Sequence, residues 1–284
     1  MSPSGAPTPI VLLPVGSDEV ALDACLSALE AGTAAGTRVW LADNAQAGPR
    51  GVALIEGWLA RTHLQAGYTR RTTPVSEVAH VDEALRACGA ADVAVLAGDA
   101  RVTPGWLDRL AAGFRQEATI ATATPWCNAG ETAAWPRIGE IELELPAPEL
   151  LASACARLAG EQPELPAAVG HAVLLRGSAF AMAGGLDAAS FRSWPAALID
   201  LSLRLSGHGW RNVLCPTAFV LREDEGMPGD GDMDALVARW PNWNARIAGF
   251  LMDDPLHALR ARLGEVLARA GQPSPQLDLF PGST

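Results

Sequence analysis

The sequence predicts an α/β fold in which a mostly parallel central sheet is flanked by helices, with a helical extension near the C-terminal end. Two observations indicate this fold. Short apolar runs alternate with helical patterns along the first hundred residues. In addition, 49% of the 284 residues are hydrophobic, which is enough to fill one large core. No apolar run reaches the roughly 18 residues that a transmembrane helix needs.

The first half of the chain alternates regularly between the two kinds of pattern. An apolar run predicts the first strand, and Ser17 or Asp18 then caps a helix that ends at Gly32. Each later strand is also separated from the next by a helix, which favours parallel pairing. The predicted strands are 9–15, 37–44, 67–73 and 92–99, and the predicted helices are 19–32, 50–62 and 75–89.

The second half is less regular. An excursion without periodicity is expected over 130–147, and a turn-rich acidic linker over 226–233. The remaining predicted elements are a strand in 118–128, a helix over 148–160, a strand running into a short helix over 167–185, a helix over 195–209, one or two strands in 210–224, and helices over 233–250 and 255–270. The predicted organisation is a flexible tail (1–8), a main domain (9–225), a helical extension (226–270) and a second flexible tail (271–284).

Composition excludes several classes of function. The net charge of −11 argues against general binding to nucleic acid or anionic membranes. The chain contains no lysine, which rules out a Schiff base or a phosphate-binding lysine. Its five scattered cysteines are typical of reduced thiols, and the N-terminal residues lack the basic start and apolar core of an export signal. We therefore expect a cytoplasmic protein.

Three predicted strands end in polar or turn-forming residues. The residues at these three strand ends are 14–17, 43–45 and 98–100. Because ligands of open α/β sheets bind beyond the carboxyl ends of the strands, these segments are expected to converge on one crevice.

Several stretches together resemble family-2 glycosyltransferases of the GT-A fold, in a bacterial branch associated with rhamnose and O-antigen synthesis. They occur in the family's order and cover roughly residues 9–224. The stretches are IVLLPVGSDEVALDACLSAL, VWLADNAQAG, VAVLAGDARVTPGWLDRL, TPWCNAGETAAWPR, LPAAVGHAVLLRGSAFAMAGGLDAASF and IDLSLRLSGHGWRNVLCPTAFV.

The resemblance implies transfer of a hexosyl or rhamnosyl group from a nucleoside-diphosphate sugar to a hydroxyl of a glycan or other acceptor, with inversion. Asp99 matches the last carboxylate of a D-x-D pattern that holds Mg²⁺ or Mn²⁺, although Ala97 replaces the first. Asp43 matches an aspartate that accepts a hydrogen bond from the nucleobase. The alternative for both aspartates is a turn residue. Pro14, Val15, Gly16, Asn44 and Gly98 complete the expected nucleotide site.

The sequence departs from the family at the expected general base. The family's Glu/Asp pair falls on Ala197 and Leu198, which cannot accept a proton. Asp200 is a candidate for a displaced catalytic base, but an ion pair with Arg204 one helical turn later is the alternative. The family's metal-binding histidine falls on Arg222, which can instead bind phosphate and replace some of the metal's charge.

Four residues are expected on the acceptor side. Trp126 and Asn128 lie in the loop stretch that resembles the family, and His171 and Trp194 follow later. Tryptophan faces stack on sugars, but tryptophan is also a common packing residue, and a lone histidine is often structural.

Because Ala97 replaces the first carboxylate of the metal pattern, metal use is expected to be weak or absent. The alternative to an active enzyme is a degenerate GT-A domain that binds nucleotide or glycan, or supports a partner, without turnover.

Two further hypotheses concern the C-terminal end. The predicted helices over 233–270 can pack on the domain or form a homodimer. The segment QLDLF resembles the peptide by which bacterial proteins bind the DNA sliding clamp, with Gln276, Leu277, Leu279 and Phe280 as contacts. Docking of this segment on protein and a free tail are the alternatives.

Overall fold

The computed structural model describes residues 8–158, 160, 162–223, 226 and 228–270. The predicted tail over 271–284, including the QLDLF segment, lies outside these residues, as does nearly all of the N-terminal one.

Strands and helices alternate in the described chain largely as the sequence predicts. The strands are β1 (Ile10–Val15), β2 (Arg38–Asp43), β3 (Gln65–Arg70), β4 (Val93–Leu96), β5 (Arg101–Val102), β6 (Ile120–Trp126), β7 (Ala172–Leu175) and β8 (Arg211–Leu221). The helices are α1 (Glu19–Gly32), α2 (Pro49–Leu59), α3 (Glu77–Ala87), α4 (Trp106–Gln116), α5 (Pro148–Ala156), α6 (Gly177–Met182), α7 (Trp194–Gly207), α8 (Asp232–Arg239), α9 (Trp243–Asp253) and α10 (His257–Ala270). None of these described helices is long and apolar enough to cross a membrane.

Helix α1 begins and ends where the sequence predicts. Of the two candidate caps, Asp18 is the one used, because its Oδ1 accepts hydrogen bonds from the backbone N–H groups of Val20 and Ala21 at 2.9 and 3.0 Å. These bonds satisfy two of the donors that a helix leaves unpaired at its N-terminus.

The central sheet is mixed, so the predicted mostly parallel pairing is present only in part. Its strand order is β3-β2-β1-β4-β7-β6-β8-β5. The first four strands in this order are all parallel, but β7 runs antiparallel to both β4 and β6, and β5 runs antiparallel to β8. The sheet departs from parallel pairing at β7 and at the two-residue strand β5. The parallel half still places the carboxyl ends of β1, β2 and β4 side by side.

Apolar layers cover both faces of the sheet. Alternate residues of β1 enter opposite layers: Leu13 packs with α1, α2 and α4, whereas Leu12 packs with α3, α6 and α7. A third cluster joins α5 and α10 to β6 and β8. This arrangement is typical of an α/β fold whose sheet is buried on both faces.

Three C-terminal helices replace the two that the sequence predicts. The predicted helix over 233–250 is interrupted after Trp240, because Pro241 cannot continue a helix. Leu236 of α8 and Leu263 of α10 are fully buried, in the clusters that contain α7 and α5 respectively. The extension therefore packs on its own domain, and the homodimer stays a prediction.

Gly177, at the start of α6, is packed too closely for a side chain. A Cβ here would lie 2.7 Å from the carbonyl oxygen of Ala90 and still closer to that of Ala91. We expect Gly177→Ala to lower the free energy of unfolding by about 1–3 kcal/mol, the usual cost of overpacking, as measured by urea denaturation. Gly249→Ala in α9 is the control, since its Cβ would meet nothing within 4 Å. There we expect a gain of roughly 0.5–1 kcal/mol. Equal effects at both positions would contradict this account.

Candidate functional site

A cavity of about 510 Å³ opens at the carboxyl ends of β1, β2 and β4. Its position is where the strand-end rule places the ligand of an open α/β sheet. Seven of the eight residues predicted to bind nucleotide line it: Pro14, Val15, Gly16, Asn44, Gly98, Asp99 and Arg222. Other lining residues are Gln46, Val75, Glu77, His80, Val81, Val95, Leu96, Ala97, Gly170, Ser193, Trp194, Pro195 and Gly226.

Backbone groups form one wall of the cavity. The turn after β4 lies beside the end of β1, where a Cβ on Gly98 would be in ordinary contact with the carbonyl oxygen of Pro14, at 3.6 Å. A Cβ on Gly16 would meet nothing within 4 Å, so this position leaves open space. Asn44 holds the neighbouring loop: its side-chain amide donates to the Val75 carbonyl at 2.8 Å, and its Oδ1 accepts the Val75 N–H at 3.0 Å. This wall therefore presents backbone peptide groups, and open space beside Gly16, to a ligand in the cavity.

Asp43 lies outside the cavity lining and is fully buried. Its Oδ1 accepts the backbone N–H groups of Gln46 and Ala47, at 2.7 and 3.2 Å, and its Oδ2 accepts the hydroxyl of Tyr68 at 2.7 Å. Burial and this bond raise the pKa of Tyr68 to about 12. These bonds are those of a turn residue, which is the alternative that the sequence left open for Asp43. Because no part of Asp43 is exposed, a direct contact with a nucleobase would require the surrounding turn to move.

Asp99 and Arg222 form an ion pair at the cavity. The Nε of Arg222 lies 2.9 and 3.0 Å from the two carboxylate oxygens of Asp99. The side chains are 11% exposed for Arg222 and 17% exposed for Asp99, so the pair is shielded from bulk water but still reachable from the cavity. Asp99 thus orients a guanidinium at the sheet edge.

Asn128 and Gly226 fix the position of Arg222. The Oδ1 of Asn128 accepts the backbone N–H of Arg222 at 2.7 Å, and its amide donates to the Arg222 carbonyl at 2.9 Å. A Cβ on Gly226, where φ is +65°, would lie 2.6 Å from Nη1 of Arg222. Asn128, predicted on the acceptor side, is buried and supports the arginine instead.

The described residues do not provide a convincing site for a divalent metal. Asp99, the predicted ligand, already has both oxygens at Arg222. No group of three or more histidine, cysteine, aspartate or glutamate side chains in the described part of the chain is placed to hold an ion. Mg²⁺ prefers several oxygen ligands, and a guanidinium beside the carboxylate repels a cation.

All four predicted acceptor-side residues are buried, and besides Asn128 both Trp126 and His171 lie outside the cavity lining. Trp126 is fully buried in the third apolar cluster, and His171 is 1% exposed and absent from the cavity lining. The Nε2 of His171 lies 3.2 Å from the carbonyl oxygen of Pro125, while its buried Nδ1 has no partner among the described residues. Both residues act in packing, as the alternative reading holds. Trp194 does line the cavity, and its indole N–H donates to the Gly170 carbonyl at 3.1 Å.

His171 is expected to make stability depend on pH. Burial, together with the nearby charge of Arg222, lowers the pKa of His171 from 6.5 to about 3. Between these values the unfolded chain binds a proton that the folded chain does not, so stability falls as the pH drops below 6.5. The loss is about 2 kcal/mol at pH 5.

The measurement is urea denaturation at pH 7 and pH 5. His171→Gln, which retains a donor toward Pro125, should remove about 2 kcal/mol of the difference between the two pH values. His208→Gln, at an exposed position, serves as the control. An unchanged pH dependence in His171→Gln would show that this histidine is protonated in the folded protein.

Asp200, the candidate for a displaced catalytic base, does not line the cavity. It is fully buried in α7, where its Oδ2 lies 2.8 Å from Nε of Arg204. Its Oδ1 accepts from Nη1 of Arg239 at 3.1 Å and from the indole N–H of Trp240 at 3.0 Å. The ion pair at i,i+4 spacing is therefore confirmed, and the carboxylate joins α7 to α8.

Sequence reasoning missed Glu77, His80 and Ser193, which line the cavity. Glu77 and His80 lie three residues apart on α3, and that spacing is the one signal the sequence offered. Without the packing of α3 against α7, such a pair cannot be told from an ordinary helix face.

Of the comparisons with known proteins, the one with solved structures supports the fold. No protein-family model matches the sequence, and no curated protein matches it. Among solved structures, it is similar to the mannosyltransferase PcManGT from Pyrobaculum calidifontis in complex with GDP-Man and Mn²⁺, with a TM-score of 0.60, 14% identity, and coverage of 95% of this chain and 78% of that one.

Two other solved structures agree. GalNAc-T7 with UDP, GalNAc and Mn²⁺ has a TM-score of 0.60 at 13% identity, covering 92% of this chain and 55% of that one. TarS residues 1–349 from S. aureus, in complex with UDP-GlcNAc, has a TM-score of 0.53 at 13% identity, covering 92% and 71%. At these identities the likeness concerns the fold, and the chain has the fold of GT-A glycosyltransferases.

Proposed function

We propose that this chain is a glycosyltransferase that binds a nucleoside-diphosphate sugar in the cavity and transfers the sugar, with inversion, to a hydroxyl of a glycan or another acceptor. One observation carries the proposal: a guanidinium, oriented by a carboxylate, faces the carboxyl edge of a GT-A sheet. A rhamnosyl or other hexosyl donor is the class favoured by the sequence resemblance. PcManGT and TarS, which share the fold, were solved with GDP-Man and UDP-GlcNAc respectively.

The two walls of the cavity suit the two parts of such a donor. Peptide groups of Pro14, Val15 and Gly16 face the nucleoside, and the open space at Gly16 accommodates a ring. Arg222 faces the diphosphate, because a guanidinium donates paired hydrogen bonds to phosphate oxygens. Its charge stabilises the nucleoside diphosphate as it leaves.

Arg222 supplies the positive charge that a divalent metal supplies elsewhere, and no step in this proposal requires an ion. PcManGT and GalNAc-T7 were solved with Mn²⁺. In this chain the corresponding carboxylate is paired with arginine. Nucleotide binding is therefore expected to persist in EDTA.

A degenerate domain that binds nucleotide without turnover is the second candidate. The observation that favours it is the burial of Ala197 and Leu198, at the family's base position, together with the ion-paired state of Asp200. On this alternative the cavity binds a nucleotide, and no carboxylate on α7 deprotonates an acceptor.

Calorimetry with UDP, GDP and dTDP, each with Mn²⁺ and with EDTA, tests the nucleotide site. Release of nucleoside diphosphate from UDP-glucose, GDP-mannose and dTDP-rhamnose then tests turnover. Binding with turnover supports the enzyme, and binding without turnover supports the degenerate domain. If none of the three nucleotides binds under either condition, both candidates are wrong.

A further inference from the structure

The cavity contains a second carboxylate, Glu77, that is free to act on a ligand. Asp99 and Glu77 are the two acidic residues among the described residues that line the cavity. Asp99 is held by Arg222, whereas Glu77 is exposed, and its Oε1 has no hydrogen-bond partner among the described residues. Glu77 can therefore accept a proton from a molecule that enters from solvent.

The carboxylate of Glu77 is fixed in place by another helix. Its Oε2 accepts the backbone N–H of Trp194, the first residue of α7, at 3.0 Å. Ser193, the N-cap residue of α7, makes no side-chain capping bond, so Glu77 provides a cap from α3. One oxygen is thus anchored while the other stays open toward the cavity.

The segment that contacts Glu77 is itself held firmly. Asp232 at the start of α8 accepts the backbone N–H groups of Arg192 and Ser193, and the Ser193 hydroxyl. The indole N–H of Trp194 is bonded to the Gly170 carbonyl at 3.1 Å. A proton acceptor works best when its position is fixed by such contacts.

His80 is the other titratable group on this wall, one helical turn after Glu77. It is only 8% exposed, and its Nε2 lies 3.1 Å from the carbonyl oxygen of Ala42. Since a carbonyl oxygen only accepts, Nε2 carries the hydrogen, which leaves Nδ1 as the basic nitrogen of a ring that is almost entirely buried. Glu77 is exposed and is therefore the better placed of the two groups.

We propose that Glu77 is the general base of sugar transfer; this inference rests on the proposed function. Glu77 takes the proton of the acceptor O–H, and the oxygen's electron pair forms the bond to the anomeric carbon. The bond from that carbon to the diphosphate oxygen breaks, and its electron pair leaves on the nucleoside diphosphate, whose charge Arg222 stabilises. Glu77 then releases the proton to solvent.

Glu77→Gln separates this role from that of a helix cap. The amide oxygen of glutamine still accepts the Trp194 N–H, but the side chain cannot take up a proton at neutral pH. We expect donor hydrolysis, measured with whichever of UDP-glucose, GDP-mannose or dTDP-rhamnose the parent turns over, to fall by about 100-fold or more. The dissociation constant of the nucleoside diphosphate and the melting temperature should be unchanged. The acidic limb of the pH–rate profile should be lost.

Glu83→Gln is the matched control, because Glu83 lies on the same helix, is exposed and does not line the cavity. Parent-like hydrolysis and pH profile in Glu77→Gln would overturn the inference while leaving the proposed function intact. Nucleotide binding by the parent without hydrolysis of any donor would also overturn it, in favour of the degenerate domain. Failure of the parent to bind any nucleotide would overturn the proposed function and this inference with it.

Discussion

Arg222→Gln is expected to weaken the binding of a nucleoside diphosphate by about 100-fold, with little change in the binding of the matching nucleoside. Hydrogen bonds to charged groups contribute about 1.5–3 kcal/mol each, and tenfold in affinity corresponds to about 1.4 kcal/mol. Losing the guanidinium also removes the positive charge beside the carboxylate of Asp99, which is 17% exposed, so that its negative charge repels the diphosphate. Calorimetry with the diphosphate and the nucleoside measures the two effects separately.

The controls address charge and orientation. Arg101→Gln removes an arginine paired with Glu223 that does not line this cavity, and it should leave binding unchanged. Asp99→Asn keeps Arg222 but replaces its carboxylate partner with a neutral amide, and should weaken diphosphate binding less than Arg222→Gln does. If Arg222→Gln and Arg101→Gln bind the diphosphate equally well, Arg222 is not the phosphate-binding residue.

The order of elements was predictable because periodicity reports which residues are buried. Helix α1 extends over the predicted residues, and strand ends mark the sheet edge where the cavity lies. The antiparallel pairing of β7 was not predictable in the same way, since four consecutive buried residues are compatible with either direction. The two-residue strand β5 was too short to give any pattern.

The chemistry of the site depends on contacts that no local pattern contains. Asp99 and Arg222 are 123 positions apart in the sequence, and Glu77 and Trp194 are 117 apart. The position of Asp99 at a strand end predicted that it lies at the cavity. It could not predict that the Nε of Arg222 contacts both of its carboxylate oxygens. In the same way, the i,i+4 spacing predicted the bond between Asp200 and Arg204, but the bond to Arg239 follows only from the packing of α8.

Asp200→Ala is expected to lower the free energy of unfolding by about 3 kcal/mol. Asp200 is fully buried and pairs with two arginines, and removal of one member of a buried ion pair costs about 3–5 kcal/mol because the remaining charges lose a partner. We take the lower end, since the side chains of Arg204 and Arg239 are 24% and 35% exposed and regain some hydration. Urea denaturation measures the loss, and the melting temperature should fall by roughly 6–12 °C.

Glu265→Ala provides a control with the same spacing. Glu265 and Arg269 form an i,i+4 pair on α10 whose side chains are 64% and 73% exposed, so its loss should cost less than about 0.5 kcal/mol. Asp200→Asn separates structure from catalysis. If Asp200 is structural, the asparagine variant loses stability and retains nucleotide binding and donor hydrolysis per folded molecule. An asparagine variant that unfolds like the parent but no longer hydrolyses the donor would instead restore Asp200 as the base.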